Sequence, residues 1–231
     1  MTATLHSLEA APDLVDRVHR ALRDAICDGS LAAGSRITQE DIAERLAVSR
    51  QPVLQALRLL KRDGFVLDAP GRGVLVAPLD PLAVTHLYQV RGALDALAAQ
   101  LAASQHHQLD PALLRQGRDA TERQDVRAMI DADLAFHSAI YRASGNPMLE
   151  QAAQLHWAHL RRIMGAVLSA THQRQTIWDE HQAIAEAIAQ GDGTLAASLL
   201  QDHSAQAGLN LARRLSDVLA DTTANAKGDT A

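Results

Sequence analysis

Asp133 and His137 stand four residues apart. On a helix that spacing puts both side chains on one face, one turn apart. A carboxylate and an imidazole held together suit a borderline divalent ion such as zinc, nickel, cobalt or manganese. Two more histidines, His181 and His203, lie in later segments that also read as helical. A blander reading stands beside this one. The chain has 11 histidines, so chance pairs arise, and a lone histidine on a helix commonly serves as a core or surface residue. His156 and His159 are likewise one turn apart, without a partner motif, and read as pocket lining or surface. His106-His107 falls at a helix end, where either ring could cap carbonyls.

A second group is cationic. Between residues 45 and 62 lie Arg45, Arg50, Arg58, Lys61 and Arg62, with no acid among them. The whole chain carries a net charge of −5, unpromising for a polyanion partner until it is divided. Residues 13–79 hold ten Lys/Arg against nine Asp/Glu, a net of +1. Residues 80–231 hold twelve against seventeen, a net of −5, and Glu9 supplies the remaining −1. A cationic stripe on an acidic chain is the footprint of a phosphate-binding element, or else a solvated helix face. Arg91 also has two readings. It is an anion partner, or it pairs with Asp95 four residues on, a surface contact worth only a few tenths of a kcal/mol.

The elements that must position these groups are helical. Of 231 residues, 47% are hydrophobic but only 3% aromatic; Ala, Leu, Gln and Arg make up the difference, and all favour helices. The length suits a small domain joined to a medium one. The single cysteine, Cys27, excludes a disulfide scaffold and a cysteine-only zinc site. No apolar run approaches the roughly 20 residues of a membrane span, and Met1 to Pro12 lacks the cationic start and apolar core of a secretory signal. The expectation is an intracellular, cytoplasmic protein with no membrane partner.

Periodicity then orders the chain. A flexible arm over 1–12 precedes a helix from Leu14 to Cys27, ended by Asp28-Gly29-Ser30, and Gly34 keeps the next stretch in a loop. Thr38 followed by Asp41 has the form of a capping box and starts a short helix through Leu46. After a turn at Ala47-Val48, Ser49 caps another helix with Pro52 in its first turn, and Gly64 stops it. Phe65-Val66-Leu67 and Val74-Leu75-Val76 flank Pro70-Gly71-Arg72-Gly73 as a hairpin. Helix, helix, turn, helix and hairpin over 13–79 make a winged helix-turn-helix. Beyond Asp80-Pro81 the pattern is helical only, near 82–105, 110–126, 127–144, 147–170, 174–190 and 192–219. Short connections imply an antiparallel bundle over 80–220, followed by a disordered tail from Asp221. The fold class is mainly α, and no internal repeat is evident.

Particular residues now carry a resemblance. Gly34-Ser35-Arg36-Ile37, Asp41-Ile42-Ala43, Val48-Ser49-Arg50-Gln51-Pro52-Val53, Asp63-Gly64 and Gly71-Arg72-Gly73 resemble the DNA-binding half of the GntR family of bacterial transcription regulators. Leu87-Tyr88-Gln89-Val90-Arg91, Asp133 with Phe136-His137, Ala143-Ser144-Gly145-Asn146 and Glu180-His181-Gln182 resemble its FadR-like branch with a helical FCD effector domain. One departure is Leu54-Gln55, where the family often has Arg-Glu, so a family operator sequence does not transfer.

In such a fold the N-terminal side chains of the second helix reach base edges in the major groove. Here those are Ser49, Arg50, Gln51 and Gln55, with Arg50 suited to guanine and Gln51 to adenine. Arg45, Arg58 and Lys61 are placed for phosphates, and Arg72, at the hairpin tip, for the minor groove. The resemblance further implies a metal held by Asp133, His137, His181 and His203, zinc before the other candidates. It implies an effector pocket reached by Arg91, with Trp157 and Arg161 as lining. A single module binds operator DNA weakly, so a homodimer through the helical domain is expected.

The resulting expectation is a ligand-responsive regulator, a repressor, and not an enzyme. A small carboxylate bridging the metal and Arg91 would shift the bundle helices and weaken operator binding. Two rivals remain: a metal-free regulator with a pocket for an acyl or other organic acid, and a metal-dependent hydrolase. Against the last, the chain has no H-E-x-x-H and no E-x-x-H in its helical part.

Overall fold

The computed structural model describes residues 13–168 and 176–228, in two compact units divided after Pro78. The arm over 1–12 lies outside the described residues.

In the first unit α1 (Asp13–Cys27) is followed by β1 (Arg36–Ile37), α2 (Gln39–Arg45), α3 (Arg50–Arg62), β2 (Val66–Asp68) and β3 (Val74–Val76). Val18, Leu22 and Ile26 of α1 are buried, as are Val53, Leu57 and Leu60 of α3 with Phe65 behind them. The 3.6-residue spacing of these apolar positions is what lets α1 pack on α3. Thr38 caps α2, its hydroxyl accepting from the Asp41 N–H at 3.2 Å. Ser49 holds the N-cap position of α3 but makes no capping hydrogen bond, contrary to expectation.

The hairpin is the outer part of a three-stranded sheet in the order β1-β3-β2, antiparallel throughout. Strand β1, expected as loop, pairs Arg36 with Leu75 and Ile37 with Val74. Two residues leave no alternation to read. The turn before β3 requires Gly73: its φ is +90°, and a Cβ there would stand 2.4 Å from the Ile37 carbonyl oxygen.

The second unit is helical: α4 (Pro81–Ser104), α5 (Pro111–Glu122), α6 (Val126–Ala143), α7 (Pro147–Leu168), α8 (Ile177–Gln190) and α9 (Gly193–Gly228). The sequence repeats one starting device. Asp80 and Asp110 each accept from the N–H two residues on, and a proline follows each in the first turn, where no N–H is missed. Asp125 caps α6 likewise, through Ala128 N–H. Gly191, left-handed at φ +80°, closes α8. The expected helix end at 170 and start at 174 lie outside the described residues.

Where a disordered tail is expected from Asp221, α9 instead continues to Gly228. No proline or glycine interrupts Asp221 to Lys227, so nothing in the backbone stops it earlier. The core of this unit gathers Phe136, Ile140, Leu160, Ile184, Ile188, Leu200 and Leu215, each at most 1% exposed.

Candidate functional site

Two sites follow from this frame. The first lies on α3. Arg50 and Gln51 open the helix and are exposed beside Ser49; Gln55, one turn on, is half-buried. Gln39 donates to the Arg50 carbonyl at 2.7 Å and so ties the start of α2 to the start of α3. The Arg50 guanidinium lies 3.3 Å from Glu40, with both side chains at least half exposed, so the pair is weak and open to exchange. Arg45 and Arg58 are exposed. Lys61, expected at phosphates, donates to both oxygens of Asp68 at 2.7 and 2.6 Å and ties α3 to β2. Arg62 pairs with Asp63, so the cationic stripe is partly neutralised from within. Arg72 is exposed at the hairpin tip, and its carbonyl accepts from Arg36 Nε at 2.7 Å.

The second site is interior to the helical unit. α6 supplies Asp133 and His137, α8 supplies His181 and α9 supplies His203. All four are buried, and one ligand atom from each lies within 4.8 Å of the others. His181 Nε2 is 3.3 Å from His203 Nε2 and 3.5 Å from an Asp133 oxygen, which is 3.8 Å from His137 Nε2. Neither nitrogen of His137 has a hydrogen-bond partner, nor has His181 Nδ1. Buried polar atoms ordinarily find one. Burial, chiefly, lowers the pKa of both His137 and His181, which favours the neutral rings that a metal requires. Three imidazoles and a carboxylate aimed at one point fit a divalent transition ion.

The outer contacts fix the rings. Glu180 lies 2.9 Å from His203 Nδ1, which turns Nε2 inward. Asp95 lies 3.6 Å from His137 Nδ1, just beyond hydrogen-bond distance. Asp95 is 1% exposed and joins three helices: it accepts from Ser204 at 2.7 Å and from the Tyr141 hydroxyl, and it pairs with Arg91 Nε at 3.1 Å. Burial works against the charges of both Asp95 and Arg91. Their mutual attraction, joined by His137 and the Tyr141 hydroxyl at Asp95 and by Tyr88 and Asp133 at Arg91, more than offsets it, holding the carboxyl below and the guanidinium above their ordinary ranges. Burial pushes Tyr88 up to about 12.

The Arg91–Asp95 pair is thus buried, not on a solvated face. The Arg91 guanidinium lies 4.1 Å from the Trp157 ring centre and 5.2 Å from that of Tyr88. Arg91 Nη2 and Trp157 Nε1 are buried donors with no acceptor. Arg161, expected as lining, is half-exposed and reaches outward to Asp131. A long arginine on the edge of an apolar face does this readily; the buried arginine of α7 is Arg162. A cavity of about 90 Å³ reaches His203 from one side, lined in part by Tyr88, Glu180, Gln206, Asn210 and Arg214. At the end of α4 the carbonyls are capped by the backbone N–H groups of His106 and His107, not by their rings.

Sequence reasoning passes over Asp95, Tyr141, Ser204 and Glu180 as parts of the site. The available signal is on α4, where Arg91 and Asp95 are the only charges among 24 residues.

A winged helix-turn-helix joined to a helical unit with a buried polar centre defines the class: a two-domain DNA-binding transcriptional regulator. Residues 14–76 match the model for bacterial regulatory proteins of the gntR family, and residues 86–206 match the FCD domain. The chain belongs to the gntR family of bacterial transcription regulators, in its FCD-domain branch. It is 29% identical, over 80% of each chain, to an HTH-type transcriptional regulator in an unstable DNA locus of Streptomyces ambofaciens. It is 26% identical to the HTH-type transcriptional repressor RspR of Escherichia coli K12, over 81% of this chain and 84% of that one. Its fold is similar to that of E. coli McbR/YncC, with a TM-score of 0.72 at 22% identity over 87% of this chain and 98% of the other. No described helix is long and apolar enough to cross a membrane.

Proposed function

We propose that this chain is a homodimeric repressor whose operator affinity is governed by a small carboxylate bound between a divalent metal and Arg91. The observation that carries the reading is the convergence of Asp133, His137, His181 and His203, with Arg91 linked to them through Asp95. A bound zinc, nickel, cobalt or manganese ion would supply a Lewis acid with coordination positions open to a carboxylate oxygen. Arg91 Nη2 and Trp157 Nε1 are donors available to the remaining oxygen. The cavity beside His203, about 90 Å³, suits a small ligand better than an acyl chain.

On DNA, Ser49, Arg50, Gln51 and Gln55 read base edges, Arg45 and Arg58 hold phosphates, and Arg72 enters the minor groove. Lys61 positions the wing through Asp68. Repression as the output is supported by the repressor among its relatives, and DNA as the target places the protein in the cytoplasm. The test is metal content on protein purified without an affinity tag, beside a His137→Ala/His181→Ala double variant. One transition ion per chain, lost in the variant, is expected. Wild-type protein that stays metal-free after reloading would overturn the metal assignment and leave the DNA-binding assignment standing.

A further inference from the structure

The three histidines of the interior site are not held alike. Glu180 lies at Nδ1 of His203 and Asp95 stands behind Nδ1 of His137. Nδ1 of His181 has no hydrogen-bond partner among the described residues. The ring torsion of a histidine is broad by itself, so the plane of His181 must be fixed in another way. Two aromatic rings fix it. Phe136 stacks on it, with centroids 4.3 Å apart and planes 22° from parallel. Trp178 stands nearly perpendicular to it, at 4.7 Å and 75°. Trp178 precedes His181 by three residues on α8, which puts both on one side of the helix. The indole is held in turn by α5. Its Nε1 donates to Thr121 Oγ1 at 3.0 Å, and the Thr121 hydroxyl donates to the Gly117 carbonyl at 2.9 Å. Gly117, one turn before Thr121, leaves the space: a Cβ there would overlap Cε2, Cζ2 and Cη2 of Trp178. A glycine inside a helix costs stability against alanine, and the seated ring is what requires it. Arg118 completes the hold, donating to the Trp178 carbonyl at 3.3 Å, to Asp179 at 2.8 Å and to Gln182 at 2.9 Å. The start of α8 is otherwise loosely fixed, since Thr176 at its N-cap makes no side-chain capping bond.

We propose that Trp178, seated by Gly117 and Thr121, is a positioning residue for His181, so that α5 belongs to the metal centre although it supplies no ligand. The proposal rests on the metal reading above and adds the part that fixes the third imidazole. A side chain free to turn loses that freedom when it binds, and the loss is subtracted from affinity; a ring already confined loses little. For His137 and His203 a carboxylate stands behind the ring. For His181 the confinement is steric. Between Phe136 and the indole, the imidazole keeps a plane in which Nε2 stays 3.5 Å from Asp133 and 3.3 Å from His203. A carboxylate partner also raises the basicity of a ligand ring, which an indole does not do. The contribution of Trp178 is therefore one of orientation alone, and another aromatic ring at that position supplies it.

The experiment is cobalt titration of the full chain followed by visible absorption, whose bands report the donor set and its geometry. It compares wild type, Trp178→Leu, Trp178→Phe, Gly117→Ala and a control, Leu215→Ala. Leu215 is a fully buried core residue on α9, about 18 Å along the helix from His203. Trp178→Leu is expected to bind cobalt about tenfold more weakly, with its bands shifted from those of wild type. Trp178→Phe keeps a ring beside His181 and is expected to regain the wild-type bands and most of the affinity. Gly117→Ala displaces the indole with every ligand in place, and is expected to shift the bands as Trp178→Leu does. Leu215→Ala is expected to lower the unfolding midpoint and leave cobalt affinity and bands as in wild type. Wild-type affinity and bands in Trp178→Leu overturn the proposal, as does a Trp178→Phe no better than Trp178→Leu. A Leu215→Ala that binds equally weakly overturns it too, because general loosening of the bundle then explains the loss. Each of these results leaves the metal assignment standing. A wild type that takes up no cobalt overturns that assignment and this proposal with it. Should Trp178→Leu fail to fold, Gly117→Ala carries the test, and wild-type bands and affinity in it overturn the proposal.

Discussion

Asp95 is the residue on which the interior site turns. It touches the guanidinium of Arg91, the hydroxyls of Tyr141 and Ser204, and the Nδ1 side of His137. A carboxylate behind a metal-binding histidine fixes the ring and raises its basicity, and losing one commonly lowers metal affinity about 10- to 100-fold. Asp95→Asn keeps the shape and removes the charge, so a loss in that range is expected, with a smaller loss for Ser204→Ala. Both tryptophans report directly, Trp157 lying 5.3 Å from His137 and Trp178 4.7 Å from His181. Cobalt titration followed by their fluorescence measures the affinity, and an unchanged Asp95→Asn isotherm would remove Asp95 from the site. The sequence shows this site unevenly. Asp133 and His137 are legible from spacing alone, being one turn apart. His181 and His203 come from other helices, and only the family resemblance joins them. Asp95 stays hidden because four residues from Arg91 it reads as an ordinary surface pair, and burial is a property of the bundle, not of the spacing. Arg161 and Arg162 are neighbours on α7, and the step of one residue around the helix buries Arg162 and turns Arg161 out to Asp131.

At the scale of elements, the reading helix depends on the sheet beside it. Lys61 to Asp68 ties α3 to β2, and Arg36 to the Arg72 carbonyl ties β1 to the hairpin tip. The caps and breakers make the helices legible from sequence: Thr38, the Asp80-Pro81 and Asp110-Pro111 pairs, Gly191. Strand β1 is not legible, because two residues gain their extended form from pairing with β3 and have no pattern of their own. Gly73 marks where that pairing leaves no room. Gly73→Ala introduces a Cβ 2.4 Å from the Ile37 carbonyl at a positive φ. Left-handed strain of this kind costs about 1–3 kcal/mol, and the adjustment falls on β1 and the Arg72 tip. Operator affinity is expected to fall with little change in metal content, measured by fluorescence anisotropy on labelled DNA. Wild-type affinity in this variant would exclude the wing from DNA binding.

Across the whole molecule, an effector acts only through a difference in its affinity for two states. The interior site has the means to make one, because α4, α6, α8 and α9 each place a side chain in it, and Asp95 with Ser204 and Arg91 links α4 to α9. A carboxylate that draws on Arg91 competes with Asp95 for that guanidinium, and Asp95 stands next to the metal ligand His137. Metal and carboxylate are therefore expected to act on the same helices. The coupling between such sites is typically about 1–3 kcal/mol, or about 5- to 150-fold in affinity. Operator affinity is expected to weaken within that range when metal-loaded protein meets the responsive member of a panel of sugar acids, amino acids and dicarboxylates. Protein stripped of metal by a chelator and then dialysed is expected to show no response to the same compound. An equal response in both forms would take the metal out of the signalling path and leave Arg91 and Trp157 as the anchor. A response that needs the metal but survives Arg91→Lys would show that charge, and not the forked guanidinium placed over Trp157, holds the ligand.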